Sequence, residues 1–178
     1  LKNEKIKSFL EPAAEFVRNG QVDGIRFSTL PDTINERTLE IIKDYPVSTV
    51  ELGVQSMDDQ VLAMAGREHS VLDTVRAVEQ LKSRHFSIGS QMMVGLPGDD
   101  DTGALTTAQK ITDLGPDFVR IYPTLVVAHS RLARWYQSGD YAPLSLEEGV
   151  SLVKKNLSEI QKGRHRRHSH GAAGFRRS

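Results

Sequence analysis

This sequence predicts an α/β protein built on a parallel sheet, on three observations. Four apolar, β-branched runs, at 24–29, 50–56, 87–94 and 117–122, read as strands. Between them lie segments whose apolar residues recur at helical spacing. The strands begin 26–37 residues apart, which leaves room for a crossover helix in each interval and implies parallel, right-handed βαβ units. Four such units make an open doubly wound sheet or part of a (β/α) barrel. A complete eightfold barrel takes about 250 residues, so a chain of 178 does not make one.

Each element has its own signal. Ile6, Phe9, Leu10, Ala13, Phe16 and Val17 predict a helix over 1–20, which Pro12 should break or restart and Asn19-Gly20 should stop. The first strand, Gly24 to Thr29, runs into a Pro31-Asp32-Thr33 turn. Thr33 and Glu36 have capping-box spacing, and the helix they open stops before Pro46. The second strand, Val50 to Ser56, meets a helix that begins at Met57-Asp58-Asp59 and ends near Gly66-Arg67. Ser70 and Asp73 make another capping box, ahead of a longer helix with Val71, Val75, Val78 and Leu81 on one face.

The third strand, Ser87 to Val94, is closed by the tight turn Gly95-Leu96-Pro97-Gly98. Asp99-Asp100-Asp101 suits the positive end of the next helix dipole, whose buried face is Leu105, Ala108, Ile111 and Leu114. After the fourth strand, Asp117 to Tyr122, a short helix spans 132–137. The last helix has a Ser145…Glu148 box and an apolar face of Leu146, Val150, Val153, Leu157 and Ile160.

Composition sets the limits. The chain has no cysteine, which excludes disulfides, thiolate metal sites and a cysteine nucleophile within it. No apolar run is long enough to span a bilayer and the first residues lack a signal-peptide core, so no membrane association and a cytoplasmic location are expected. Residue 1 is Leu rather than Met, which points to unusual initiation or a piece of something longer. The formal net charge is zero but uneven: after Glu159, the last acid, come Lys162, Arg164, Arg166, Arg167, Arg176 and Arg177. We therefore expect a folded body over 1–161 and a basic, disordered tail over 162–178, a candidate nucleic-acid arm.

In βα units, the residues at strand C-terminal ends face the ligand crevice. That singles out Ser28 and Thr29; Glu51, Gln55 and Ser56; Gln91, Met92 and Met93; and Arg120, Tyr122 and Thr124. Arg67, twelve residues past Gln55, is placed to return to that end and pair with a carboxylate or phosphate. The plainer readings are a helix C-terminal cation for Arg67, helix caps for Ser56 and Asp58, and a satisfied buried carboxylate for Glu51. His69 and His85 read as surface or helix-end histidines, and His165…His168…His170 as weak metal-like spacing. No phosphate-binding glycine loop follows any strand.

Val50-Glu51-Leu52-Gly53-Val54-Gln55-Ser56, Arg67 and Gln91-Met92-Met93-Val94-Gly95-Leu96-Pro97-Gly98 resemble the later strands of radical S-adenosylmethionine (SAM) enzymes. The branch related to the catalytic subunit of Elongator is the nearer match, supported by Arg120-Ile121-Tyr122-Pro123-Thr124 and Ser145-Leu146-Glu147-Glu148. Oxygen-independent coproporphyrinogen oxidases are a more distant one.

The resemblance implies a C-terminal fragment of a six-unit partial barrel. In that family a C-x-x-x-C-x-x-C loop holds a [4Fe–4S] cluster that cleaves SAM to a 5′-deoxyadenosyl radical. It implies that Gln55 contacts the SAM ribose, Arg67 the SAM carboxylate, and Gln91 the ribose or adenine, with Glu51 pointing into the same interior. The cluster ligands are absent from this chain. The expectation is thus a SAM half-site, inactive alone, completed by an upstream half that brings the missing strands and cluster, with transfer RNA as a further partner by family analogy. The alternative is a non-catalytic binding module that uses the basic tail.

Overall fold

The structure, a computed structural model, describes residues 3–173 and the side chains of residues 4–166. The order is α1 (Asn3–Arg18), β1 (Ile25–Thr29), a single tight helical turn (Pro31–Thr33), α2 (Glu36–Ile42), β2 (Val47–Gln55), α3 (Asp59–Met64), α4 (Val71–Ser83), β3 (Ser87–Val94), α5 (Asp101–Leu114), β4 (Phe118–Pro123), α6 (Arg131–Ser138) and α7 (Leu146–Ala173). The four strands form one sheet in the order β1-β2-β3-β4, all parallel, with a helical crossover in every interval. β1 pairs with β2 in the register Arg26↔Thr49, Phe27↔Val50, Ser28↔Glu51 and Thr29↔Leu52. Among the described residues no helix is long and apolar enough to cross a membrane.

The described residues fall into two compact units. The first holds residues up to Val54, His69–Ser90 and Pro116–Phe118; the second holds Gln55–Glu68, Gln91–Gly115 and Val119 onward. In the first, Leu39, Ile42, Val50, Leu52, Leu81 and Ile88 are almost fully buried, each side chain contributing about 2 kcal/mol. Strand periodicity sends Val50, Leu52 and Val54 to one face of β2 and Glu51 and Gly53 to the other. In the second unit the core is Leu62, Met92, Val94, Ala104, Ala108, Ile111 and Leu152.

Local chemistry explains most boundaries. Ser70 and Asp73 form the expected capping box at the start of α4, and Glu148 and Ser145 close another at α7, with Ser145 N–H donating to Glu148 Oε2 at 2.8 Å. Asp100 caps α5 by accepting from Gly103 N–H at 2.7 Å, and Gly115 ends it with φ +72°.

Four expectations are corrected. First, α1 runs unbroken through Pro12. Pro12 is exposed, and Leu10 and Ala14, buried on either side, tie both turns to the core. Second, α2 is capped not by Thr33 but by Asn35, whose Oδ1 accepts from Thr38 N–H at 3.0 Å.

Third, of the expected α7 face only Ile160 is fully buried. Leu152, Asn156, Ile160 and Gly163 point inward, whereas Leu146 is 78% exposed and Val150 and Leu157 are also exposed. The cause is close approach: a Cβ on Gly163 would stand 2.5 Å from Thr112 Cγ2 of α5, so the small residue rather than the most apolar stripe decides which face packs. Fourth, α7 continues past 161 to Ala173, and Arg166 donates from Nη2 to Gln109 at 2.8 Å and to Glu159 at 3.1 Å. Residues 174–178 of the expected tail lie outside the described residues.

Candidate cofactor-binding site

In the first unit, each strand contributes one residue to a single cluster. Glu51 on β2 is 4% exposed and is ion-paired and hydrogen-bonded to Arg26 on β1. The Arg26 guanidinium lies over the Phe118 ring of β4, 4.8 Å from its centroid. Gly89 on β3 makes this possible. A Cβ there would meet Phe118 Cζ at 2.4 Å and Glu51 Cγ at 2.8 Å. The geometry gives Glu51 the satisfied-carboxylate role.

His69 is not a surface histidine: it is 3% exposed, with Nε2 3.1 Å from the Val54 carbonyl. A carbonyl only accepts, so Nε2 carries the proton, and the buried Nδ1 has no hydrogen-bond partner. The sequence signal was its place one residue before the Ser70 cap, where a chain turning into a helix is drawn against the preceding strand.

In the second unit, Gln55 ends β2 in the left-handed region, φ +65°, at 7% exposure. A non-glycine residue there costs roughly 1–2 kcal/mol. Its buried Oε1 has no hydrogen-bond partner among the described residues. Strain and an orphaned acceptor on one residue mark a functional position better than a structural one.

Ser56 and Asp58 are structural. Asp58 N–H donates to Ser56 Oγ at 3.2 Å, and Asp58 Oδ1 accepts from Gln60 N–H at 2.8 Å and Val61 N–H at 3.2 Å. Arg67 follows Gly66 (φ +70°), whose turn ends α3. Its side chain has no ion pair or hydrogen bond among the described residues, and it lines a cavity of about 230 Å³ with Met93, Thr124, Leu125, Arg131 and Trp135. Gln91 is half-buried two residues before Met93, on the same face of β3. The structure thus gathers Arg67, Met93 and Thr124; Gln55 and Gln91 do not line that cavity.

Sequence reasoning missed Arg131, whose guanidinium lies 4.3 Å from the Trp135 ring centroid. The i, i+4 spacing of the two on α6 was the available signal. A second cavity, about 520 Å³, lies around the Gly95–Asp99 turn and is lined also by Met64, Trp135, Asp140, Tyr141 and Leu144. Tyr141 Oη donates to the Gly95 carbonyl at 2.7 Å. Burial pushes the Asp99 carboxyl up to about 6, helped by the neighbouring Asp100 and Asp58 charges and opposed by a hydrogen bond from Asp100 N–H. Among the described residues no group of three His, Asp or Glu could hold a metal ion; the His168 and His170 side chains lie outside them.

The Radical SAM superfamily model matches residues 3–111, and the Radical_SAM C-terminal domain model matches residues 116–165. The chain belongs to the radical SAM superfamily. This radical SAM chain is 31% identical over 137 residues to the tRNA uridine(34) acetyltransferase of Methanocaldococcus jannaschii, a match covering 75% of the chain and 25% of that enzyme. It is 30% identical to human Elongator complex protein 3 over 140 residues, 77% of the chain and 26% of that protein.

Among solved structures, it resembles Methanocaldococcus infernus Elp3 with a TM-score of 0.71 at 29% identity, over 75% of the chain and 32% of that protein. Coproporphyrinogen III oxidase (HemN) of Escherichia coli gives a TM-score of 0.71 at 13% identity, over 92% of the chain and 38% of that enzyme, a likeness of fold. The chain therefore spans about a quarter of the length of these acetyltransferase and Elongator relatives, and its four strands match part of a radical SAM barrel.

Proposed function

We propose that this chain supplies a SAM-binding half-site of a radical SAM protein related to the tRNA uridine(34) acetyltransferases, and that by itself it performs no radical chemistry. The observation that carries the reading is Gln55: a buried, unpartnered amide oxygen on a strained residue at the end of β2. A ribose hydroxyl would give that oxygen its missing donor. Arg67, with no carboxylate of its own, would meet the SAM carboxylate, and Gln91 would reach the ribose or adenine. These residues fit SAM. They do not fit a [4Fe–4S] cluster, because the chain has no cysteine to supply thiolates.

The cluster would come from an upstream half carrying C-x-x-x-C-x-x-C, paired along β1, which ends the sheet order. The test is 5′-deoxyadenosine release from SAM under reducing conditions. The chain alone should yield none, and turnover by the chain alone overturns the inactivity. A half bearing the cysteines should bring activity that Gln55→Ala abolishes.

A second reading rests on charge. Six Lys or Arg and no acid follow Glu159, and the Methanocaldococcus jannaschii relative is named a tRNA uridine(34) acetyltransferase. In this reading the basic C-terminal segment is an RNA arm. Transfer RNA affinity that falls steeply with salt and disappears on deleting 162–178 supports it; affinity indifferent to salt or to that deletion rejects it.

A further inference from the structure

The smaller cavity of the second unit has an unusual electrical character. Its walls are apolar, from Met64, Met93, Leu96, Leu125, Leu132 and Trp135, yet it is lined by two arginines, Arg67 and Arg131, and by no carboxylate. Neither guanidinium has an ion pair among the described residues. Arg131 reaches the cavity over Gly66: a Cβ on that residue would stand 3.5 Å from Arg131 Nη1. The Arg131 guanidinium lies over the Trp135 ring, 4.3 Å from its centroid, and its N–H donors make no hydrogen bond among the described residues, so they are available to a planar or tetrahedral anion. Thr124, 8% exposed, also lines the cavity, and its buried Oγ1 has no partner. Two uncompensated cations and an orphaned hydroxyl around one apolar pocket are complementary to an anion on an apolar body.

We infer that Arg131 and Arg67 together form an anion site, in which Thr124 donates a further hydrogen bond, and that it takes a carboxylate or phosphate carried on an apolar or aromatic group. This goes beyond the SAM reading, with which it shares Arg67, and stands without it. The two sources of the anion are separable, the amino-acid carboxylate of a SAM-like ligand or a phosphate ester.

The experiment is calorimetric titration of the full chain with phenyl phosphate and, separately, with S-adenosylhomocysteine, repeated on Arg131→Ala and Arg131→Lys. Arg131 is exposed on α6, and far-ultraviolet circular dichroism establishes that the variants fold. The expected result is phenyl phosphate binding weakened about tenfold or more by Arg131→Ala and partly recovered by Arg131→Lys. A parallel nitrogen-proton spectrum should show the side-chain Nε–H signals of Arg67 and Arg131 moving together.

Phenyl phosphate binding that ignores Arg131→Ala overturns the inference, as does the absence of binding by either probe. If S-adenosylhomocysteine binds while Arg131→Ala changes neither its affinity nor that of phenyl phosphate, the SAM reading survives and this inference fails. If phenyl phosphate binds through Arg131 and S-adenosylhomocysteine does not bind, the inference survives and the SAM reading fails.

Discussion

The Glu51 cluster of the first unit and the strand-end groups of the second are both polar and both at least partly buried, yet they are built on opposite terms. Around Glu51, the carboxylate has Arg26, the guanidinium has the Phe118 face, and Gly89 leaves the space the cluster needs. In the second unit, Gln55 Oε1, Thr124 Oγ1 and Asp99 Oδ2 are buried without partners, and Arg67 and Arg131 lack counter-ions among the described residues. Satisfied groups hold a fold; unsatisfied ones cost stability and are retained where something else completes them. The contrast predicts that substitutions in the first set destabilise, while those in the second leave stability unchanged or raise it.

Five substitutions try that contrast by thermal and urea unfolding. Gly89→Ala should have the largest effect, a loss of about 3 kcal/mol, because its methyl overlaps the Phe118 ring. Glu51→Ala should cost about 2 kcal/mol. Breaking a fully buried pair costs more, but the Arg26 side chain is 44% exposed and water compensates part of its charge.

Asp99→Asn should go the other way. Its carboxyl is pushed up from 3.8 to about 6 in the folded protein, so the fold binds a proton that the unfolded chain releases between these values. Its contribution to stability is full below pH 3.8 and is lost as the pH rises through about 6. At neutral pH, Asp99→Asn should therefore stabilise by about 1–2 kcal/mol after discounting for partial exposure, and flatten the pH profile between these limits. A variant as sensitive to pH as the parent would break this part of the comparison.

Gln55→Gly should be neutral to about 0.5 kcal/mol stabilising, since relief from the left-handed strain is offset by the entropy of glycine in the unfolded chain. It should still remove ligand binding. Arg67→Ala should fall within about 0.5 kcal/mol. A loss above 2 kcal/mol in either would place that residue with the structural set.

What was legible in the sequence follows from how local each determinant is. The Ser70–Asp73 and Ser145–Glu148 caps and the β3 boundaries depend on residues a few positions apart, and all appear as read. The orientation of α7 does not. Leu146, Val150 and Leu157 satisfy every rule for a buried face, but the contact that decides the matter is Gly163 against Thr112 of another helix, and no single-segment pattern contains it.

The site divides the same way. Strand-end geometry pointed to Gln55, Arg67 and Gln91. The left-handed backbone of Gln55 and the placing of Arg131 over Trp135 emerge only when the chain is folded. Glu51 stands near the C-terminal end of its strand, but its partner is Arg26, a diagonal neighbour on the adjacent strand, since the register sets Glu51 opposite Ser28 and Arg26 opposite Thr49; that contact needs the folded sheet.

The buried imidazole of His69 gives this protein a built-in spectroscopic reporter. Its Nε2 proton is held by the Val54 carbonyl, on the peptide that leads into Gln55, and is shielded from solvent. Such a proton exchanges only when its surroundings open, so its proton resonance needs no label and no second residue to be followed. The rate at which that signal fades in heavy water is a direct clock for local opening at the end of β2, and any molecule that clamps this end should slow it.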